Sequence, residues 1–372
     1  MKTIQLLLLL LTTSFSFGMI PNSVPKTKQI KAALAAHDRT IRVKDGFIRD
    51  PYIVKAPDGF FYFTGTTQIT TRKELPEDNY TSGKIGYDVK AWKTKDFVHW
   101  KSLGVIYSLK DGYWYTAKPE SFKTGEEFRW RLWAPELYFI NGRFVVISTS
   151  PSPVSLGNLS VAQGVKPKGP WANPMGDKVS RIHDPSFFQD DDGTWWMIWG
   201  LGPATIAPMK PDLSDYAAEP INIYSAGKFK DVGYEGFLMR KILGKYVLFG
   251  TAWSTGKGRR GTYNLYYATA DKITGPYSER KLAGRFLGHG TLFQDNAGRW
   301  WCTAFFNGNV PPLSREGIQT KELSDNAYTL NEQGLNLVPL DVKMEGSELV
   351  IRAADPDYAI PGPEELQKFK PL

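Results

Sequence analysis

Three carboxylates, Asp50, Asp184 and Glu235, stand at the same point of a stretch that recurs along this sequence. Each precedes a glycine of a turn-like segment by nine residues, and Trp133 and His289 precede theirs by the same interval. The five glycines are Gly59, Gly142, Gly193, Gly244 and Gly298. An interval that recurs five times indicates that the five residues before it hold equivalent places in a repeated structural unit.

Carboxylates that face a common cavity are suited to acid–base chemistry. Like charges raise one another's pKa, so three neighbouring carboxyls cannot all ionise at their ordinary values. A general acid and a general base need pKa values that are separated in this way. Two carboxyls hydrolyse a glycosidic bond with inversion when roughly 6.5–9.5 Å separates them. The third carboxyl would then orient the acid, and Trp133 would offer an apolar wall for a sugar.

The repeated unit has the pattern of two β-strands around a tight turn. Segments such as Asn-Gly and Pro-Asp-Gly supply the positive-φ positions of hairpins, and aromatic and β-branched residues flank them. Further strands fit at 91–100 and 263–270, so about 50 residues hold four strands, as in a propeller blade. The sequence therefore predicts an all-β, five-bladed β-propeller with its active site at the mouth of the central channel. The long first interval predicts an insertion around 66–90 and 110–130.

Asp184 and the residues around it also have structural interpretations. Aspartate before proline is common where a chain enters a strand, so Asp184 alone would be weak evidence of catalysis. The sequence "DDDG" at 190–193 lacks the spacing and the closing glutamate of a calcium loop, so it predicts a hairpin turn. His183 lies one step out of the register and is expected to point away from the channel or to support its rim.

Composition and charge exclude several classes of protein. The 372 residues carry a net charge of +8 with dispersed positive residues, which predicts a solvated surface and no nucleic-acid partner. Residues 1–18 combine a lysine, six consecutive leucines and small residues, the pattern of a secretory signal peptide. This apolar run is too short to span a bilayer and no second long apolar stretch exists, so the mature protein is expected to be secreted or periplasmic. Cys302 is the sole cysteine, which excludes a disulfide within one chain.

The order of five motifs, "IRDP", "WAPEL", "IHDPS", "YEG" and "GHG", resembles that of glycoside hydrolase family 43. Members of that family are five-bladed propellers that remove arabinose or xylose units with inversion. The resemblance implies that Asp50 is the general base, that Asp184 tunes and orients the acid, and that Glu235 is the general acid. It also implies that His289 lies on the axis, where members often hold a calcium ion or a water cluster. Arg315, in "PPLSREG", would contact the substrate.

The resemblance covers residues 46–320, which are therefore expected to form the catalytic propeller. Residues 19–45 would form an N-terminal arm with a short helix, and 321–372 a C-terminal segment that closes the propeller or packs on it. The implied activity is release of terminal sugars from plant or algal polysaccharides by an α-L-arabinofuranosidase or β-xylosidase, with no cofactor required. Endo-arabinanase or another exo-glycosidase activity, such as a galactosidase, stays open. So does a propeller that binds carbohydrate or protein without catalysis. The oligomeric state does not follow from the sequence.

Overall fold

The structure is a computed structural model, and it describes most of the chain. The described residues are 25–68, 85–117, 130–152, 156–256, 260–305, 317, 319–324 and 333–369. The predictions that lie at least partly outside these ranges include the signal segment 1–18, the substrate contact of Arg315, and the first-blade insertion, of which 69–84 and 118–129 are not described.

Five antiparallel sheets follow one another along the chain as blades, which confirms the predicted propeller. Most strands that pair within a blade are also successive in the sequence. Blade 1 consists of β1 (Ile41–Lys55), β2 (Phe61–Thr67), β3 (Asp88–Thr94) and β4 (Lys101–Ser108). Blade 2 consists of β5 (Arg131–Ile140), β6 (Arg143–Ser152), β7 (Leu156–Ala162) and β8 (Trp171–Ala172).

The remaining blades repeat this arrangement. Blade 3 consists of β9 (Ser186–Gln189), β10 (Trp195–Trp199), β11 (Ala204–Pro208) and β12 (Ile221–Ile223), after which comes β13 (Ser225–Ala226). Blade 4 contains β14 (Glu235–Ile242), β15 (Lys245–Trp253), β16 (Tyr263–Ala270) and β18 (Lys281–Gly284), whereas β17 (Tyr277–Glu279) pairs with β13. Blade 5 contains β19 (Leu292–Gln294), β20 (Trp300–Phe305) and β21 (Gln333–Glu345), and β22 (Glu348–Ala353) pairs with the end of β21.

The ring closes through strand β1, which belongs to two blades. Its first part pairs with β21, from Ile41 opposite Leu337 to Phe47 opposite Gln333, and supplies the fourth strand of blade 5. Its second part pairs with β2 as the innermost strand of blade 1. One continuous strand thus joins the last blade to the first and covers the edge that would be exposed at the seam.

The inner hairpins have two different turn lengths. In blade 2 the two residues Asn141 and Gly142, both with positive φ, join the strands, and blade 4 has the same kind of turn. Such primed turns match the twist of the strands. In blades 1, 3 and 5 the turn has three residues and ends in a glycine; in blade 1, Gly59 donates its N–H to the Ala56 carbonyl at 3.0 Å. A nine-residue count to the glycine therefore does not mark the same position in every blade.

The acidic segment at 190–193 is the hairpin turn of blade 3, as predicted. The N–H of Gly193 donates to the Asp190 carbonyl at 2.9 Å, and Asp190 donates its own N–H to Thr194 at 2.9 Å. The Asp190 carboxylate accepts a hydrogen bond from the Tyr246 hydroxyl at 2.8 Å, and Asp191 pairs with Lys241 at 2.6 Å. Lys241 of blade 4 therefore offsets part of the negative charge of this turn.

Other predicted elements differ in extent. Helix α1 (Thr27–Ala36) falls within the predicted segment, and the short helices α2 (Tyr113–Thr116) and α3 (Pro356–Ala359) were not predicted. The strand predicted at 263–270 is β16, whereas the one predicted at 91–100 ends at Thr94. There the Asp96 carboxylate accepts the N–H groups of the residues that follow, at 3.0 and 2.8 Å, and turns the chain. Within the described part of the chain, no helix is long and apolar enough to cross a membrane.

Most of the large aromatic side chains stabilise the blades rather than the site. Trp301, Phe63 and Phe249 are fully buried between sheets. Removing a side chain of this size from water contributes about 1.5–3 kcal/mol to the stability of the fold.

The C-terminal segment adds polar contacts with blade 4, where Glu364 pairs with Arg285 at 2.8 Å and both side chains are fully buried.

Candidate active site

Each inner strand is entered through a residue in the left-handed conformation. Asp50, Asp184 and His289 have φ values of 47°, 45° and 58°, which are uncommon outside glycine. In blades 2 and 4 the residues with this conformation are Ala134 and Gly236, with φ values of 45° and 59°. Each of the five stands seven residues before the first residue of its hairpin turn, so these are the equivalent positions.

In the structure, Trp133 and Glu235 lie one residue before the equivalent positions, and not at them as predicted. Both stand directly before the left-handed residue, as His183 does in blade 3. The expectation that Glu235 is equivalent to Asp50 and Asp184 is therefore wrong, because the count to the glycine ignored the shorter turns of blades 2 and 4. Glu235 is instead equivalent to His183.

A threonine of the preceding blade holds the left-handed turn in place. The N–H of Asp184 donates to Thr149 Oγ1 at 2.7 Å, and the N–H of His289 donates to Thr251 Oγ1 at 2.8 Å. Both threonines lie within the second strand of their blade, β6 and β15. The turns of neighbouring blades are thus linked, and their side chains are aimed at a common centre.

Asp50 lies buried at one end of the site. Its Oδ2 accepts the hydroxyl of Thr66 at 2.7 Å, and its Oδ1 lies 3.2 Å from Nδ1 of His289. Burial by itself would raise the pKa of this carboxyl, but the charges of His289 and Arg49 and these hydrogen bonds hold it well below the usual range. Asp50 is therefore ionised at neutral pH, as a general base must be.

His183 lies inside the site, which corrects the expectation that it points away from the channel. Its Nε2 is 3.2 Å from Oδ2 of Asp184 and 3.2 Å from Oε2 of Glu235. The other carboxylate oxygen of Glu235 accepts the Tyr263 hydroxyl at 2.8 Å. Burial would lower the pKa of His183, but the two carboxylates, Asp184 above all, raise it to about 10.

The ionisable side chains alternate in charge. His289 lies between Asp50 and Asp184, with its Nε2 3.7 Å from Oδ2 of Asp184. His183 lies between Asp184 and Glu235, so the five side chains form a row. Burial would lower the pKa of His289, but the two aspartates raise it to about 9, and the two histidines lower the pKa of Asp184 despite its burial. The expected mutual repulsion of carboxylates is therefore not what sets the pKa values of Asp50 and Asp184, because a histidine separates them.

The two histidines make the stability of the fold depend on pH. Their pKa values, about 10 for His183 and about 9 for His289, exceed the value of about 6.5 expected in an unfolded chain. Their contribution to stability is full below about pH 6.5 and is lost as pH rises through the folded values. We expect the Tm to fall between about pH 6.5 and 9.5, and His289→Gln to flatten that slope in thermal unfolding. The exposed His99 is the control: His99→Gln should keep the slope, and an unchanged slope in His289→Gln would contradict the prediction.

Gly236, directly after Glu235, is a position that has no room for a side chain. Its φ is +59°, and a Cβ atom would lie 2.9 Å from the His289 ring. We expect Gly236→Ala to destabilise the fold by about 1–3 kcal/mol in urea unfolding and to lower kcat by moving His289. Gly244→Ala is the matched control, because Gly244 has a φ of +80° but nothing within 4 Å of a Cβ. Equal effects of the two substitutions would show that the contact with His289 is unimportant.

Trp133 lines the site beside His183, with the two rings edge to face and their centroids 6.5 Å apart. Its buried indole N–H has no hydrogen-bond partner among the described residues. The second predicted substrate-binding residue, Arg315, lies outside the described residues.

Among the residues that the structure describes, one group has ligand atoms close enough to hold a metal ion. Single ligand atoms of His183, Asp184 and Glu235 lie within 4.8 Å of one another. This set does not fit calcium, which takes about six to eight oxygen ligands, because the imidazole already contacts both carboxylates. The calcium ion expected beside His289 stays a prediction, and thermal unfolding during a calcium titration would test it.

The prediction from sequence missed Glu136, a further carboxyl near the site. It lies two residues after Ala134, close enough to Ser186 and His289 for both to lower its pKa. The Tyr138 hydroxyl donates to it, and burial raises the pKa of Glu136 to about 7. Counting two residues onward from Trp133 reaches Pro135, so the predicted register could not have found Glu136. No pattern in the sequence distinguishes Tyr263 from the other tyrosines of its strand.

A family model described as "Glycosyl hydrolases family 43" matches residues 40–320 of this chain. Among curated proteins, the chain is 27% identical over 199 residues to a Beta-D-galactofuranosidase of Aspergillus niger, covering 49% of this chain and 55% of that protein. It is 22% identical to a Xylan 1,3-beta-xylosidase of a Vibrio species, covering 77% of this chain and 52% of that protein. This chain spans about half the length of these curated relatives.

Solved structures share the fold. RS223-Beta-xylosidase superposes with a TM-score of 0.60 at 18% identity, covering 82% of this chain and 96% of that chain. CoXyl43, a beta-xylosidase/alpha-arabinofuranosidase from a compost microbial metagenome, superposes with a TM-score of 0.59 at 17% identity, covering 82% and 94%. That structure holds xylotriose in a calcium-free form. At these identities, the likeness shows the fold alone.

Proposed function

Because this chain belongs to glycosyl hydrolase family 43, a family of inverting enzymes, we propose that it hydrolyses glycosidic bonds with Asp50 as base and Glu235 as acid. The proposal rests on the row of alternating charges, His289, Asp184 and His183, that lies between these two carboxyls. Asp50 is the ionised end that would take a proton from water. The Glu235 side chain is 22% exposed, against 6% for Asp50 and 4% for Asp184, as befits a group that must reach a leaving oxygen. Asp184 would act through the two histidines, whose pKa values it raises.

We infer that the substrate is a terminal arabinofuranosyl or xylosyl unit of a polysaccharide. Support comes from the names of similar proteins, which include β-xylosidases and an α-arabinofuranosidase. The Aspergillus relative favours a second candidate, a terminal galactofuranosyl unit. Secretion through residues 1–18 is proposed on the sequence pattern alone.

A panel of nitrophenyl glycosides tests this proposal. The purified protein is assayed on the α-L-arabinofuranoside, β-xyloside and β-galactofuranoside, then on polymers, with the product anomer followed by proton NMR. We expect one of the three to be cleaved with inversion and Asp50→Asn to be inactive. If no glycoside or polymer is cleaved although sugars bind, the propeller is a carbohydrate-binding protein. A product that retains its configuration would contradict the mechanism.

A further inference from the structure

His183 contacts the Glu235 carboxyl directly, whereas the scheme above uses it only as a group whose pKa Asp184 raises. We propose that His183 is a positioning residue whose imidazolium holds the Glu235 carboxyl and stabilises the carboxylate that forms there during proton transfer. The proposal rests on the function proposed above, in which Glu235 is the general acid.

The contacts around Glu235 hold its carboxyl group from two sides. Its Oε1 accepts the Tyr263 hydroxyl at 2.8 Å, and its Oε2 lies 3.2 Å from Nε2 of His183. These two contacts, one at each carboxyl oxygen, restrict the rotation of the Glu235 side chain. Trp253, which packs on Tyr263 at 4.7 Å between ring centroids, supports the first donor.

His183 is itself firmly placed. Its side chain is 12% exposed and its ring meets Trp133 edge to face. Its carbonyl accepts the N–H of Gly200, at the end of the second strand of the same blade, at 3.0 Å. The imidazole can therefore serve as a rigid support for Glu235.

The single N–H at Nε2 of His183 has two acceptors at equal distance, Asp184 and Glu235. While Glu235 carries its proton, the N–H donates to Asp184. When the proton moves from Glu235 to the leaving oxygen and the glycosidic bond breaks, the new carboxylate becomes the second acceptor. A hydrogen bond between charged groups is stronger than a neutral one, so the contact strengthens as the reaction proceeds. His183 keeps its own proton throughout.

This role predicts that the effect of His183 depends on the leaving group. A dinitrophenolate needs little protonation to depart, whereas an alkoxide needs the acid. Using the sugar that the panel identifies, we expect His183→Ala to lower kcat about 10- to 100-fold on the methyl glycoside and less than about threefold on the dinitrophenyl glycoside. His183→Gln, which can place a neutral N–H near the same point, should be intermediate. His99→Ala, at an exposed histidine, should resemble the wild type.

Two results would overturn the inference: equal losses on both substrates, which mark a merely structural residue, or no loss on either. Circular dichroism and the Tm establish that the variants fold, and His183→Gln serves if His183→Ala does not. Glu235→Gln in the same assay separates the two proposals. If the loss of activity in Glu235→Gln does not depend on the leaving group, the assignment of the acid fails. If the loss in Glu235→Gln depends on the leaving group but the loss in His183→Ala does not, only the role of His183 fails.

Discussion

Asparagine in place of Asp50 is expected to lower kcat by about 10³- to 10⁴-fold on every glycoside that the protein cleaves. The amide has nearly the same shape and can still accept the Thr66 hydroxyl, but it cannot take a proton from water. Because the base acts on water and not on the leaving group, the loss should be equal for nitrophenyl and methyl glycosides. Steady-state kinetics on both substrates measure it.

Asp58 offers a matched control for this prediction, since it lies in the hairpin turn of the same blade and its side chain is 43% exposed. We expect Asp58→Asn to keep kcat within about twofold, because surface substitutions of this kind have small effects. Activity of Asp50→Asn within about tenfold of the wild type would show that another group activates the water.

Glutamine in place of Glu235 is expected to divide the substrates by leaving group. The variant has no proton to give, so kcat on the methyl glycoside should fall by about 10²- to 10⁴-fold. On a dinitrophenyl glycoside it should fall far less, since that leaving group departs as an anion. The contrast with Asp50→Asn, whose loss is uniform, distinguishes the acid from the base without a structure of a complex.

Glu219→Gln provides the control for this second prediction, because Glu219 is exposed and lies in the blade before Glu235. It should leave kcat unchanged on both substrates. Retained cleavage of the methyl glycoside by Glu235→Gln would exclude Glu235 as the acid. Thermal unfolding of each variant separates a loss of chemistry from a loss of fold.

The blades could be predicted because their signals are local. Turn residues such as Asn141-Gly142 and the aromatic flanks specify a hairpin wherever the chain goes afterwards. The same local signals led to an error of one residue in blades 2 and 4, because turns of two and three residues both end in glycine. Distinguishing these turn types by sequence would have shown that Glu235 is equivalent to His183, and not to Asp184.

By itself, the sequence determined the number of blades, the hairpins and four ionisable groups of the site, Asp50, Asp184, Glu235 and His289, since strand pairing within a blade depends on neighbouring residues. Only the tertiary structure decided how those groups pair. Whether His289 lies between Asp50 and Asp184, and whether His183 reaches Glu235, depends on the relative positions of backbones that are about 50 or more residues apart. Interactions between charges change steeply over a few ångströms, so the pKa values of the site follow from that packing and not from the order of the residues.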